Sequence, residues 1–308
     1  KYITDIDRST VSMEFTMRRT AAANTLTINV KDGSKVVASQ SGKVASGSIF
    51  TLPIKKAKLW SPESPFLYDV EFILKDAEGN VVDKVASYFG MRKIHTEGNK
   101  VYLNNEPYFQ RLVLDQGFYP DGIWTAPSDA ALKQDIELSL QAGFNGARLH
   151  QKVFEERFYY WADKLGYLTW GEAPSWGLDA NAVEAARNFI TEWRNLVVRD
   201  INHPSIVTWT PFNEEFWPDQ TQFPRFVNDV YTLTKQLDPS RPVNTVSGGI
   251  QILTDIWTEH HYEQDPARLK EIIYDGGKMF VRGPSIQERH RGNVGFNRPV
   301  LNDPYVFP

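Results

Sequence analysis

Along the first ninety-five residues the apolar positions recur every second residue. Val11-Ser12-Met13-Glu14-Phe15-Thr16-Met17-Arg18 alternates strictly, and Leu26, Ile28 and Val30 repeat the pattern before a turn at Asp32-Gly33-Ser34. Tyr68, Val70, Phe72 and Leu74 form one face of a further strand, and Glu78-Gly79-Asn80 turns the chain into Val81-Val82. Short alternating strands, frequent turns and no helical periodicity predict a small antiparallel sandwich. No chemical constellation falls within it, so this part reads as structural or accessory.

After Asn99 the period changes. Tyr108 to Leu114 predicts a strand, and Pro127 to Ala142 a helix with Leu132, Ile136 and Leu140 on one face and Gly143 at its end. Strand 146–150, helix 155–165 and strand 167–172 follow. A longer helix carries Ala186, Ile190, Trp193 and Val197 and ends near Asn202-His203-Pro204. Then come a strand from Ile206 to Asn213-Glu214, a helix around 226–237, a strand over 243–246 and a run from Asp255 to Tyr262, read as a sixth strand. Repeated strand–helix units imply parallel strands with right-handed crossovers. The doubly wound alternative needs a Gly-rich first turn, which is lacking.

The ends of these strands are polar. Asp115 and Gln116 follow the first, Arg148 and His150 end the second and Glu172 the third. Asn213 and Glu214 end the fourth, and His260, His261 and Tyr262 the sixth. In a parallel barrel such ends converge on one mouth, where catalytic groups are presented. Taken singly, each is equally well a structural hydrogen-bonding residue, and Glu172 also reads as a carboxylate that orients Arg148. Glu214 is preferred over Glu215, whose side chain on a strand points the other way. By the same alternation His260 and His261 do not chelate one ion, and no metal site is expected. Trp124, Trp176 and Trp217 lie on loops, and each is read either as a flat platform for a sugar ring or as packing.

Composition narrows the partners. The 308 residues are 41% hydrophobic and 23% charged with a net charge of −4, which describes a globular chain of about two domains. No basic patch points to nucleic acid, and no apolar run reaches the ~18 residues of a membrane span. With no cysteine, neither disulfides nor thiolate metal sites contribute. Lys1-Tyr2-Ile3 reads as the start of a strand, without an initiator Met or signal pattern, so the natural polypeptide is expected to begin upstream.

Several spaced motifs resemble family 2 glycoside hydrolases: Trp60-Ser61-Pro62-Glu63-Ser64-Pro65-Phe66-Leu67-Tyr68, Phe89-Gly90-Met91-Arg92-Lys93-Ile94 and Leu103-Asn104-Asn105-Glu106-Pro107. The likeness continues through Gly143-Phe144-Asn145-Gly146-Ala147-Arg148, Trp161-Ala162-Asp163, Asn202-His203-Pro204-Ser205-Ile206 and Phe212-Asn213-Glu214. Arg111-Leu112-Val113-Leu114-Asp115-Gln116 departs from the family's commoner Arg-Gly-x-Asn-x-His. The resemblance implies an immunoglobulin-like β-sandwich over residues 1–95 and a TIM (β/α)8 barrel, without its last strands, over 96–308. It implies a retaining β-glycoside hydrolase acting at non-reducing ends, β-galactosides favoured, with a carbohydrate substrate, no cofactor and homo-oligomerisation left open. Glu214 is then the acid/base, and Asn213, Arg148, His150, Asp115, Tyr262, His261 and Trp217 bind substrate.

A retaining mechanism needs a second carboxylate ~5 Å from the first. The family's Ser/Thr-Glu-Tyr/Phe-Gly context for that nucleophile is missing, and Asp303, followed by Pro304, is a poor substitute. The expectation is therefore the middle of a longer glycosidase, with little or no turnover by these residues alone. The rival reading is a carbohydrate-binding protein on a barrel that has lost its chemistry.

Overall fold

The computed structural model describes residues 1–17, 24–215, 222–249, 251–258 and 260–274. The alternating segments form β1 (Tyr2–Asp5), β2 (Thr10–Glu14), β3 (Thr25–Asp32), β4 (Lys35–Lys43) and β5 (Ile49–Pro53). The short pair β6 (Trp60–Ser61) and β7 (Ser64–Pro65) precedes β8 (Tyr68–Lys75) and β9 (Val81–Phe89). Antiparallel sheets in the orders β1-β2-β5 and β4-β3-β8-β9 are the two layers of the sandwich. Every second residue turns inward, so Val11 and Met13 meet Leu26, Ile28, Val30, Phe50, Leu52, Tyr68 and Val70 in one apolar core.

A hairpin sheet, β10 (Ile94–Glu97), β11 (Lys100–Leu103) and β12 (Glu106–Pro107), leads into the α/β part. There β13 (Leu112–Asp115), α1 (Asp129–Gln141), β14 (Gly146–Leu149), α2 (Glu156–Leu165), β15 (Leu168–Glu172), α3 (Val183–Asp200) and β16 (Ile206–Thr210) alternate. β17 (Phe212–Asn213), α4 (Phe223–Leu237), β18 (Val246–Ser247) and α5 (Pro266–Tyr274) follow. The strands from β13 to β16 are parallel neighbours in sequence order, with Arg148 opposite Trp170 and Glu172 opposite Thr210. Pro211, which has no N–H to donate, separates β16 from β17, and the parallel pairing resumes as Phe212 with Val246 and Asn213 with Ser247. Local chemistry sets the helix ends: Ser128 caps α1 by accepting from Ala131 N at 3.1 Å, and Gly166 ends α2 at φ 74°.

The sixth run differs from expectation. Among the described residues, 255–262 contain no strand, and α5 follows where no helix was expected. Side-chain amides take the place of a backbone ladder. Asn244 Nδ2 donates to Ile256 O at 2.8 Å, Gln251 Nε2 to Thr258 O at 2.7 Å, and Thr258 N to Gln251 Oε1 at 2.9 Å. A primary amide offers the same donor and acceptor as a peptide group, so the segment is held without extended pairing.

The seam between sandwich and barrel is held by specific contacts. Trp60, fully buried, donates its indole N–H to Asp163 O at 2.8 Å. The buried Asp163 carboxylate accepts from Tyr88 Oη (2.9 Å), His203 Nδ1 (2.6 Å) and Ser205 N (3.0 Å). Arg92 crosses the seam to donate to Pro204 O (2.9 Å) and Ile206 O (2.6 Å) at the foot of β16. A Cβ on Gly90 would stand 2.9 Å from both Pro204 Cβ and Trp60 Cβ, so only glycine allows this approach. The far ends of the same strands carry the polar residues.

Candidate active site

β14 and β15 deliver Arg148 and Glu172 side by side. Arg148 Nε donates to Glu172 Oε2 at 2.7 Å and Nη2 to Oε1 at 3.3 Å, a two-pronged pair in which Glu172 is wholly buried. Buried ion pairs need their remaining lone pairs satisfied, and here they are. Gln151 N donates to Glu172 Oε1 at 3.0 Å, and His150 Nδ1 lies 2.9 Å from the same oxygen. Gln151 turns through a left-handed φ of 53° and its side-chain Oε1 accepts from Ser175 N (2.8 Å) and Trp176 N (3.2 Å). The loops after β14 and β15 are thereby tied together.

From that pair the guanidinium reaches across the mouth. Arg148 Nη2 makes a short hydrogen bond to Asn213 Oδ1, and Nη1 lies 3.4 Å from His260 Nε2. His260 presents Nδ1 to Glu214 Oε1 at 2.6 Å, and Tyr262 Oη donates to that oxygen at 2.5 Å. Asn213 Nδ2 stands 3.5 Å from Glu214 Oε2. Glu214 itself adopts φ 48°, an uncommon conformation for a residue with a Cβ, and such conformations concentrate at functional sites. Gly248, at φ 66°, admits the imidazole: a Cβ there would lie 2.4 Å from the His260 ring.

Burial pushes the Glu214 pKa up, but the hydrogen bonds from His260 and Tyr262 outweigh it and hold the carboxyl below its ordinary value. The hydrogen bond to Glu214, with some burial, pushes the Tyr262 phenol up to about 12, so it remains a donor. Burial raises Asp115 as well.

Of the residues expected at the site, the structure brings Glu214, Asn213, Arg148, His150 and Tyr262 together. Glu172 joins them as the carboxylate that orients Arg148. His260 is the histidine that meets Glu214, whereas His261, the one expected to bind substrate, points elsewhere and accepts at Nδ1 from Glu263 N at 3.1 Å. Asp115 stays within its own turn, where Oδ1 accepts from Gly117 N at 2.8 Å. Trp217 and Asp303 lie outside the described residues. Trp176 stands at the mouth, 62% exposed, with its indole N–H on Asn213 O at 2.9 Å and its ring edge-on to His150. Trp124, also exposed, pairs with Phe118. Gln151, Ser175 and Ser247 were missed. Gln151 and Ser175 depend on loop conformation and Ser247 on the two-residue strand β18, and only the place of Gln151 directly after His150 hinted at a role. Among the described residues, no group of three or more His, Asp or Glu is arranged to hold a metal ion, and no helix is long and apolar enough to cross a membrane.

A parallel barrel with an antiparallel sandwich before it, and an Asn-Glu pair at the end of its fourth strand, defines a class that sequence comparison also finds. The chain belongs to the glycosyl hydrolases of family 2: the family's model matches residues 1–92 and the model of its TIM barrel domain residues 126–287. It is 31% identical over 207 residues to a beta-galactosidase of Photobacterium profundum, covering 65% of this chain and 19% of that protein. It is also 31% identical over 204 residues to a putative beta-glucuronidase of Formosa agariphila, covering 61% and 24%. The solved beta-D-glucuronidase of Dictyoglomus thermophilum shares the fold, with a TM-score of 0.76 at 21% identity over 92% of this chain and 52% of that one. The chain spans about a fifth to a quarter of the length of the two sequence relatives.

Proposed function

We propose that this chain carries the acid/base side of a retaining β-glycosidase site, acting at the non-reducing end of β-linked sugars, with β-galactosides the first substrates to test. The observation that carries the reading is the carboxyl of Glu214 at the C-terminal end of the fourth barrel strand, with Asn213, His260 and Tyr262 around it. A glycosidic oxygen leaves poorly unless it is protonated as the bond breaks. The same group then serves as base for the water that releases the sugar. Asn213, with Nδ2 as donor, suits the sugar 2-hydroxyl, and Trp176 offers a flat apolar face beside it. Glu214 is held as a carboxylate in this geometry, so a sugar that takes over its hydrogen bonds from His260 and Tyr262 would let its pKa climb towards that of an acid. The nucleophile is assigned to no residue of this sequence.

The test is turnover of aryl β-galactosides and β-glucuronides by the complete gene product. Glu214→Gln is expected to lower kcat by about 10²–10⁴-fold, and azide to restore part of it by replacing the base-activated water. Unchanged kcat in Glu214→Gln would overturn the assignment. A non-catalytic carbohydrate-binding protein is the second reading, favoured by the depressed Glu214 pKa, which holds the carboxyl in its charged form. Sugar binding without hydrolysis by the complete protein selects it.

A further inference from the structure

Among the described residues, Arg148 touches Asn213 and His260, two of the three side chains that hydrogen-bond Glu214, the third being Tyr262. A guanidinium only donates, so each contact dictates the sense of its partner. Asn213 must turn Oδ1 towards Arg148, which leaves Nδ2 on the Glu214 side. His260 Nε2, 3.4 Å from Nη1 and 3.0 Å from Ser247 Oγ, faces a fixed cation and a hydroxyl that is free to donate. A proton on Nε2 would point towards that cation, whereas a lone pair there accepts from it. Nδ1 then carries the proton and donates to Glu214 Oε1 at 2.6 Å.

We propose that Arg148 is a positioning residue that fixes the proton arrangement around Glu214, holding Asn213 with its amide NH2, and His260 with its Nδ1–H, towards the carboxylate. The competing arrangement has a protonated Glu214 donating to His260 Nδ1, with Nε2–H donating to Ser247 Oγ. The second arrangement holds one more proton, on Glu214, and has the ring proton moved from Nδ1 to Nε2, so by favouring Nδ1–H the guanidinium favours the charged carboxylate that the His260 and Tyr262 hydrogen bonds already support. Among the described residues, His260 meets Glu214, whose same oxygen also accepts from Tyr262, on one side and Arg148 and Ser247 on the other, with Glu172 balancing the charge of Arg148. The importance of this arrangement for a reaction rests on the acid/base reading of Glu214. The arrangement itself is measurable without turnover.

The experiment is a long-range 1H–15N correlation of the imidazoles in this 308-residue chain at neutral pH, with His260 assigned among the six histidines by His260→Gln. The expected result is a protonated Nδ1 and a bare Nε2. In Arg148→Lys, which keeps a charge but loses the planar fork, the population moves towards Nε2–H and the Glu214 titration midpoint rises by about one pH unit. Ser247→Ala, a milder change, leaves Nδ1–H in place. A proton on Nε2 in the unmodified chain, or an unaltered tautomer and Glu214 midpoint in a folded Arg148→Lys protein, overturns the proposal. If Arg148→Lys fails to fold, the unmodified chain and Ser247→Ala decide it. A protonated Nδ1 in a protein that hydrolyses no glycoside upholds the arrangement and removes only the acid/base reading.

Discussion

In the sandwich, charges meet on the outer surface: Lys84 pairs with Glu71 at 2.8 Å and Lys58 with Asp32 at 2.6 Å, with both lysines more than half exposed. In the barrel, Glu172, Asp163 and Asp238 are buried at the centre of pairs and networks, the last with Arg241 at 2.6 Å and Trp209 Nε1 at 2.8 Å. The sandwich therefore draws its stability from apolar burial, and its charges serve solubility. In the barrel, polar contacts hold both ends of the strands, and losing one leaves its partner stranded out of water. The lesson is that a given residue type carries different consequences in the two halves.

The largest effect that would break this contrast is at the seam. Asp163→Ala is expected to cost about 3–5 kcal/mol in denaturant unfolding, because the polar groups of Tyr88 and His203 lose their acceptor. A loss as small as that of a surface pair would erase the distinction. Next, Ile28→Ala in the sandwich core is expected to cost about 2–5 kcal/mol, with the candidate site's NMR shifts unchanged. Gly248→Ala combines a strained φ with a collision against His260, and about 1–3 kcal/mol of destabilisation is expected. It is also expected to disturb the Glu214 resonance, which Ile28→Ala leaves alone.

A smaller effect depends on pH. The fold depresses the Glu214 pKa, so the stability this carboxylate contributes is fully present above its unfolded value and is lost as pH falls through the folded one. Glu214→Gln should flatten that part of the urea-midpoint profile below about pH 5, and a slope identical to the parent's would count against the contacts from His260 and Tyr262. Smallest of all, Lys84→Ala is expected to leave the unfolding midpoint within error, as solvent screens its pair with Glu71.

Much of this contrast is written in the hydrophobic pattern. Period two in Leu26, Ile28 and Val30 places all three in the sandwich core, and the four-residue spacing of Leu132 and Ile136 sets the buried face of α1. The site was legible as a set of polar strand ends, because parallel strands have only one C-terminal mouth. The partners were harder to read. Whether His260 or His261 meets Glu214 depends on where the chain stops being extended, and that is decided by the amides of Asn244 and Gln251, far from any periodic signal. Gln151 required a left-handed turn that no glycine announces.

Arg92 gives the architecture a practical edge. It belongs to the sandwich side, yet its guanidinium occupies the carbonyls of Pro204 and Ile206 at the foot of the strand whose head bears Glu214, and Arg241 shares the Ile206 oxygen. The first ninety residues are thus not an exchangeable cassette. A foreign sandwich grafted onto this barrel has to bring its own arginine to that position, or the rod that carries the candidate acid stands on an unanchored base.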